Sequence, residues 1–147
     1  MSKQSKQVRK RTILIADDEA EVVQLVRMIL EWEGYTVVAA ADGLETLERA
    51  EIDKPDLILL DVRMPKMSGL TVLEHLARSE TASIPVIMLS VVTTQPDVRS
   101  ALQRGAVAYL TKPFELKEMT RLVEQILEMD DAKRDAFRQK ALGVLEI

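Results

Sequence analysis

Asp17, Asp18, Asp61, Ser90 and Lys112 are the residues of this chain whose types could do chemistry together. Three carboxylates drawn into one crevice repel one another and raise each other's pKa unless a cation joins them. Oxygen donors with no histidine or cysteine beside them favour Mg²⁺, a hard ion that keeps several of its own waters. Set against Mg²⁺ and Lys112, the three carboxylates sum to zero charge. A site that neutral accepts an incoming phosphoryl group: the metal and the lysine stabilise its oxygens, Ser90 donates a hydroxyl, and one carboxylate is the nucleophile. Taken singly, each residue has a structural explanation. Asp17 or Asp18 fits a helix N-cap, Ser90 a loop hydroxyl, Lys112 a solvated cation. Their joint placement argues for chemistry, and that placement depends on the elements that carry them.

Residues 12 to 16, 36 to 40, 56 to 60, 85 to 90 and 107 to 110 are short, nearly continuous apolar runs rich in β-branched residues. They read as strands covered on both faces, the pattern of a parallel sheet between helical layers. Between them, apolar residues recur three and four apart: Val22, Val23, Val26, Ile29 and Leu30, then Leu44 and Leu47, then Leu70, Leu73 and Leu76. These spacings predict amphipathic helices. Asp42 with Glu45 and Thr94 with Asp97 form capping boxes, Ser68 suits an N-cap, and Gly34 and Gly105 suit helix ends. A β-α unit repeated five times with right-handed crossovers gives a doubly wound α/β sheet of five parallel strands. All five polar residues then fall at carboxyl ends of strands, where ligands bind in open parallel sheets. A fifth helix is expected over 115 to 129. Residues 130 to 147 follow as a helical C-terminal extension with Ala136, Phe137, Ala141, Val144 and Leu145 on one face, needing cover from the domain or from a partner.

The length of 147 residues fits one domain, and 47% hydrophobic content is enough for a buried core. With no cysteine, disulfides, thiolate metal sites and cysteine nucleophiles are all excluded. Net charge is −4, but residues 1 to 11 hold five cations (Lys3, Lys6, Arg9, Lys10, Arg11) and no acid, which leaves −9 on the rest. We read 1–11 as a basic, solvated tail. An acidic body repels phosphate backbones, so direct DNA binding is not expected. No apolar run approaches the roughly 20 residues that cross a bilayer, and no signal peptide is evident, so a cytoplasmic protein without membrane insertion is expected. His75, the single histidine, reads as a helical surface residue, and Trp32 as core or half-buried packing.

The Asp17-Asp18 pair, the run Asp56-Leu-Ile-Leu-Leu-Asp61-Val-Arg-Met-Pro-Lys-Met-Ser-Gly69, Ser90 after Pro-Val-Ile-Met-Leu, and Tyr109-Leu-Thr-Lys112-Pro113-Phe114 resemble a response-regulator receiver domain. The resemblance spans residues 12–129 and implies a flavodoxin-like sheet with strand order 2-1-3-4-5. It implies that Asp61 is the phosphoacceptor, taking a phosphoryl group from a phosphohistidine on a sensor histidine kinase or histidine phosphotransfer protein. Asp18, Asp61 and the backbone carbonyl of Arg63 would bind Mg²⁺, with Asp17 helping through water. Lys112 would contact the phosphoryl oxygens, across a cis Lys112–Pro113 bond. Ser90 and Tyr109 would be a switch pair that changes the face of the fourth helix, fifth strand and fifth helix. The chain would then be a phosphoacceptor in a two-component or phosphorelay system rather than an enzyme. Its output would be contact with a downstream protein, and a homodimer is compatible with the extension.

Some positions depart from the family pattern. Val91 stands where a small residue is usual and narrows the path of the phosphodonor, while Arg63 and Val92 occupy places that set the lifetime of the phosphoryl group. Lys66 and Ser68 alter the usual loop. Two other readings compete. One is a receiver-like interaction module that works without phosphorylation, which Val91 favours. The other is a haloacid-dehalogenase-like phosphatase, which also uses a strand-end aspartate and Mg²⁺. That chemistry wants a second acid two residues after the nucleophile, and here Arg63 stands there instead.

Overall fold

In a computed structural model of the chain, residues 10–91 and 95–145 are described. Most of the basic tail, Val92, the Thr94 half of one capping box and the Leu145 side chain lie outside the described residues. The strands are β1 (Thr12–Ala16), β2 (Thr36–Ala40), β3 (Leu57–Asp61), β4 (Val86–Ser90) and β5 (Ala108–Thr111). The helices are α1 (Ala20–Trp32), α2 (Gly43–Asp53), α3 (Gly69–Leu76), α4 (Gln95–Gln103), α5 (Leu116–Leu127) and α6 (Asp131–Leu145). The strands form one parallel sheet in the order β2-β1-β3-β4-β5, as expected. Strands β3, β4 and β5 begin one residue later than their apolar runs. Asp56, just before β3, is still tied to β1: its N–H donates to the Thr12 carbonyl at 2.7 Å and its carboxylate accepts the Thr12 N–H at 2.8 Å.

Successive side chains of a strand point to opposite faces, so continuous apolar strands build two cores. Ile13, Ile15, Leu57, Leu59, Ile87 and Leu89 meet Val26 and Leu30 of α1 and Met119, Val123 and Ile126 of α5. Leu14, Ile58, Leu60 and Met88 meet Ala50 of α2, Val72, Leu73 and Leu76 of α3, and Ala101 of α4. The sheet is thus sandwiched, and its carboxyl ends are held by rigid packing on both sides.

The helix starts follow their signals. Asp42 Oδ1 accepts the Glu45 N–H at 2.8 Å, while the Glu45 carboxylate reaches back to the Ala41 N–H at 2.8 Å. The Ser68 hydroxyl accepts the Thr71 N–H at 3.3 Å. Gly34 and Gly105 have φ of +103° and +114°, the left-handed backbone that favours glycine after a helix.

Two expectations fail on helix faces. Leu44 is exposed, because α2 turns Gly43, Thr46 and Ala50 inward. Trp32 is 84% exposed, not packed. Helix α1 buries Val26 and Leu30, which rotates Leu25, Met28 and Trp32 together onto the outer face. Trp32→Ala should therefore change unfolding free energy by no more than about 0.5 kcal/mol. A denaturant titration showing a loss of about 2 kcal/mol or more would return Trp32 to the core. His75 is exposed as expected, its Nδ1 lying 2.9 Å from the Thr71 carbonyl.

The extension is a helix, but only part of its expected face is covered. Phe137 packs on the α1 and α5 side of the core and Leu142 is buried, while Ala136 and Val144 are exposed. Helix α6 lies against α4 and β5. Since β5 is a sheet edge, this cover also protects its unpaired backbone groups. None of the helices among the described residues is long and apolar enough to cross a membrane.

Candidate functional site

The parallel register brings three strand ends to one place. Asp61 is the last residue of β3 and is aligned with Leu89, one residue before Ser90 at the end of β4, and Ser90 is aligned with Thr111 of β5. Asp17 follows the last residue of β1, its N–H bonded to the Ala40 carbonyl at 3.0 Å. Residues far apart in the chain thus share one crevice because parallel strands end together.

One oxygen from each of Asp17, Asp18 and Asp61 lies within 4.8 Å of the others. Asp17 and Asp61 are buried and Asp18 is exposed at the mouth. The Lys112 ammonium sits among the acids, 2.6 Å from Asp17 Oδ2, 3.1 Å from Asp61 Oδ2 and 3.1 Å from Glu19 Oε1. The remaining Asp61 oxygen accepts the Arg63 backbone N–H at 3.1 Å, and Asp17 Oδ1 accepts the Glu19 N–H at 2.9 Å. The Lys112–Pro113 peptide is cis.

These contacts set the charges. Burial and the repulsion of Asp17 push the Asp61 carboxyl above its usual pKa, against the Arg63 N–H and Lys112, which hold it down. Burial opposes the Lys112 charge, but its hydrogen bonds to Asp17, Glu19 and Asp61 outweigh this and keep the amine protonated. Lys112 therefore stays cationic whenever these acids are charged.

Glu19 escaped the sequence reading, which stopped at the Asp17-Asp18 pair. Its signal was present: three consecutive acids run from Asp17 to Glu19. With Glu19 included, four carboxylates face one ammonium, and the neutral sum expected with Mg²⁺ becomes one net negative charge. Glu19 is largely exposed, so water screens part of that charge. The arrangement suits a divalent cation: the donors are all oxygen, and three carboxylates each place one oxygen within 4.8 Å of the others.

Ser90 is buried at the end of β4, with its carbonyl accepting the Lys112 N–H at 2.9 Å. Tyr109 is half-buried on β5 and lines a groove outside the crevice. Val91 is 61% exposed beside Ser90. Below the acids, Gly69 begins α3 with its N–H on the Val62 carbonyl at 2.7 Å.

A family model described as the response regulator receiver domain matches residues 13–124. The chain belongs to the response regulator receiver family. As a receiver domain it is a component of two-component signalling, and phosphorylation and Mg²⁺ binding are typical of such domains. Among solved structures, a CheY-like receiver domain protein from Methanospirillum hungatei JF-1 superposes with a TM-score of 0.78 at 29% identity, covering 82% of this chain and 95% of that one. The receiver domain of sensor histidine kinase PA1611 from Pseudomonas aeruginosa PAO1, with a magnesium ion coordinated in its active site cleft, has a TM-score of 0.76 at 29% identity, covering 82% and 100%. The alkaline phosphatase synthesis transcriptional regulatory protein PhoP of Bacillus subtilis strain 168 is 40% identical over 130 residues, or 88% of this chain and 54% of PhoP. The DNA-binding dual master transcriptional regulator RpaA of Synechocystis is 42% identical over 120 residues, or 81% of this chain and 50% of RpaA.

These relatives overturn one part of the expected partner set, that no direct DNA binding is expected; they do not speak against a kinase or phosphotransfer protein as partner. PhoP and RpaA are transcriptional regulators, and RpaA is DNA-binding by name. The charge argument covered only the residues of this receiver domain, and the chain spans about half the length of the curated relatives it matches. An acidic receiver surface therefore says nothing about what the rest of such a regulator touches.

Proposed function

We propose that this receiver domain is the phosphoacceptor of a two-component or phosphorelay response regulator, with Asp61 taking a phosphoryl group from a phosphohistidine. The observation that carries this is the cluster of Asp17, Asp18 and Asp61 with Lys112 Nζ 3.1 Å from Asp61. An Asp61 oxygen attacks phosphorus, the phosphorus–nitrogen bond breaks, and the imidazole leaves with its electron pair, giving an acyl phosphate. Lys112 already touches one Asp61 oxygen and is placed to follow the charge onto the phosphoryl oxygens. Bound Mg²⁺ would neutralise the acids and the developing phosphoryl charge.

Asp18, Asp61 and the Arg63 carbonyl would hold the ion directly, and Asp17 through water. The engagement of Asp17 supports that split, since its oxygens already serve Glu19 and Lys112 while Asp18 stands at the mouth. Ser90 and Tyr109 act as the switch pair that transmits the acyl phosphate to the α4, β5 and α5 face. Residues 12–129 carry this function, with 1–11 as a tail and 130–147 as an extension. The domain is consumed and regenerated as a phosphoacceptor; it is not a turnover enzyme.

A calorimetric titration with Mg²⁺, followed by beryllofluoride as a phosphoryl mimic, tests this reading. Beryllofluoride is expected to bind only with Mg²⁺ and to shift the NMR resonances around Asp61. Binding unaffected by Mg²⁺, or none, refutes the reading and leaves the phosphorylation-independent module. On the same titration Asp17→Ala should weaken Mg²⁺ about ten-fold, the scale of an outer-shell group, and Asp18→Ala more. Equal losses would mean the direct ligand is misassigned.

A further inference from the structure

Helix α6 is tied to two neighbouring helices by a pair of arginines one turn apart. Arg134 Nε donates to the Ile126 carbonyl at 3.1 Å, in the last turn of α5, and Arg138 Nη1 donates to the Leu102 carbonyl at 3.1 Å, in the last turn of α4. Terminal carbonyls form the negative end of a helix and attract cations. Each of these carbonyls already accepts a backbone N–H, from Met129 and Gly105 respectively, so the arginines take their second lone pairs. Both guanidinium groups are also paired along α6, Arg134 with Asp131 at 3.7 Å and Arg138 with Asp135 at 2.5 Å, which orients them. Alongside, Phe137 and Ala141 of α6 wall a groove of about 520 Å³, lined also by Tyr109 of β5 and Leu122 of α5.

We propose that α6 is an intramolecular strap that holds α4, β5 and α5 in the arrangement described above, so that its seating and phosphorylation at Asp61 oppose each other. The proposal rests on the phosphoacceptor reading. Its physical basis is that α6 bridges the very elements that leave the site. Ser90 ends β4, which leads into α4. Lys112 follows β5, which leads into α5. An acyl phosphate that draws in Ser90 and Lys112 moves the approaches to α4 and α5, while two arginines fix the far ends of those helices to one rigid rod. Packed elements settle into one of two arrangements rather than bending gradually, so the strap resists the change until it lets go. Coupling of this kind is reciprocal: whatever the strap takes from phosphoryl-mimic affinity, the mimic takes from the strap. A passive cover for the β5 edge would have no such effect.

The test uses the full chain with Mg²⁺. Beryllofluoride affinity is compared between the natural protein and the double variant Arg134→Ala/Arg138→Ala, and hydrogen exchange of the α6 amides is followed in the natural protein with and without beryllofluoride. The variant is expected to bind about five-fold more tightly or better, the lower end of ordinary coupling energies. The α6 amides of the natural protein should exchange faster once beryllofluoride is bound. Equal affinities, or α6 protection unchanged by bound beryllofluoride, overturn the strap while leaving the phosphoacceptor reading intact. If the variant fails to fold, the exchange measurement on the natural protein decides alone. No beryllofluoride binding by the natural protein overturns both.

Discussion

Asp61→Ala should reduce phosphoryl labelling to background while the chain still folds. Labelling is read by incubation with Mg²⁺ and a phosphoramidate donor, followed by intact mass and hydroxylamine treatment, which cleaves acyl phosphates. The fold survives because the Asp61 side chain contributes repulsion as well as bonding: it crowds Asp17, and Lys112 keeps Asp17 and Glu19 when Asp61 is gone. The isosteric Asp61→Asn adds a stability test. Because the folded pKa of Asp61 is raised, its charged form works against folding above that pKa. In metal-free buffer at neutral pH the Asn variant should therefore melt above the natural protein. That gap should narrow as pH falls through the folded pKa, because the natural protein then binds a proton more readily folded than unfolded. Hydroxylamine-sensitive label persisting on Asp61→Ala would refute the assignment of the acceptor. An Asn variant that melts lower at neutral pH would mean the carboxylate holds the fold together.

Gly69→Ala should be strongly damaging to both stability and labelling. A Cβ there would stand 2.2 Å from the Asp61 carbonyl oxygen and 2.8 Å from the Val62 Cα, both backbone atoms that no rotamer change can relieve. The Gly69 N–H is also fixed to the Val62 carbonyl at 2.7 Å, so the helix start cannot slide away without losing that bond. We expect a loss of about 3 kcal/mol, the upper end for overfilling a fitted site, and a melting temperature lower by about 10 °C for a chain of this size. The displaced backbone is that of Asp61 itself. Labelling should slow about a hundred-fold even below the melting transition, the cost of roughly 1 Å of misplacement at a reacting group. An alanine variant that melts within about 2 °C of the natural protein would show that the β3 to α3 connection yields more readily than packed backbone should.

The clustering of the acids was legible because it follows from topology. Once five apolar runs are read as parallel strands, Asp17, Asp61, Ser90 and Lys112 must meet at one end, whatever the details of packing. Glu19 was not legible in the same way. Whether the third acid of a run points at Lys112 or into solvent depends on where β1 stops and how α1 starts, and local pattern does not settle that rotation. Trp32 failed for a related reason. A helix with apolar residues on both sides, Val26 and Leu30 against Leu25 and Met28, gives no single answer about which side is buried.

The C-terminal helix marks the same boundary most sharply. Its apolar residues announced that some surface needed covering, and the sequence could not say which. By itself the amino-acid order determined the sheet, the strand ends and the chemistry gathered there, since these depend on continuous apolar runs, on helical spacings of three to four residues and on strand direction. Only the tertiary structure decided that α6 turns back onto α4 and β5, and that Arg134 and Arg138 find the carbonyl ends of α5 and α4. Such contacts join surfaces built from separate parts of the chain, so their complementarity exists only once those parts have folded.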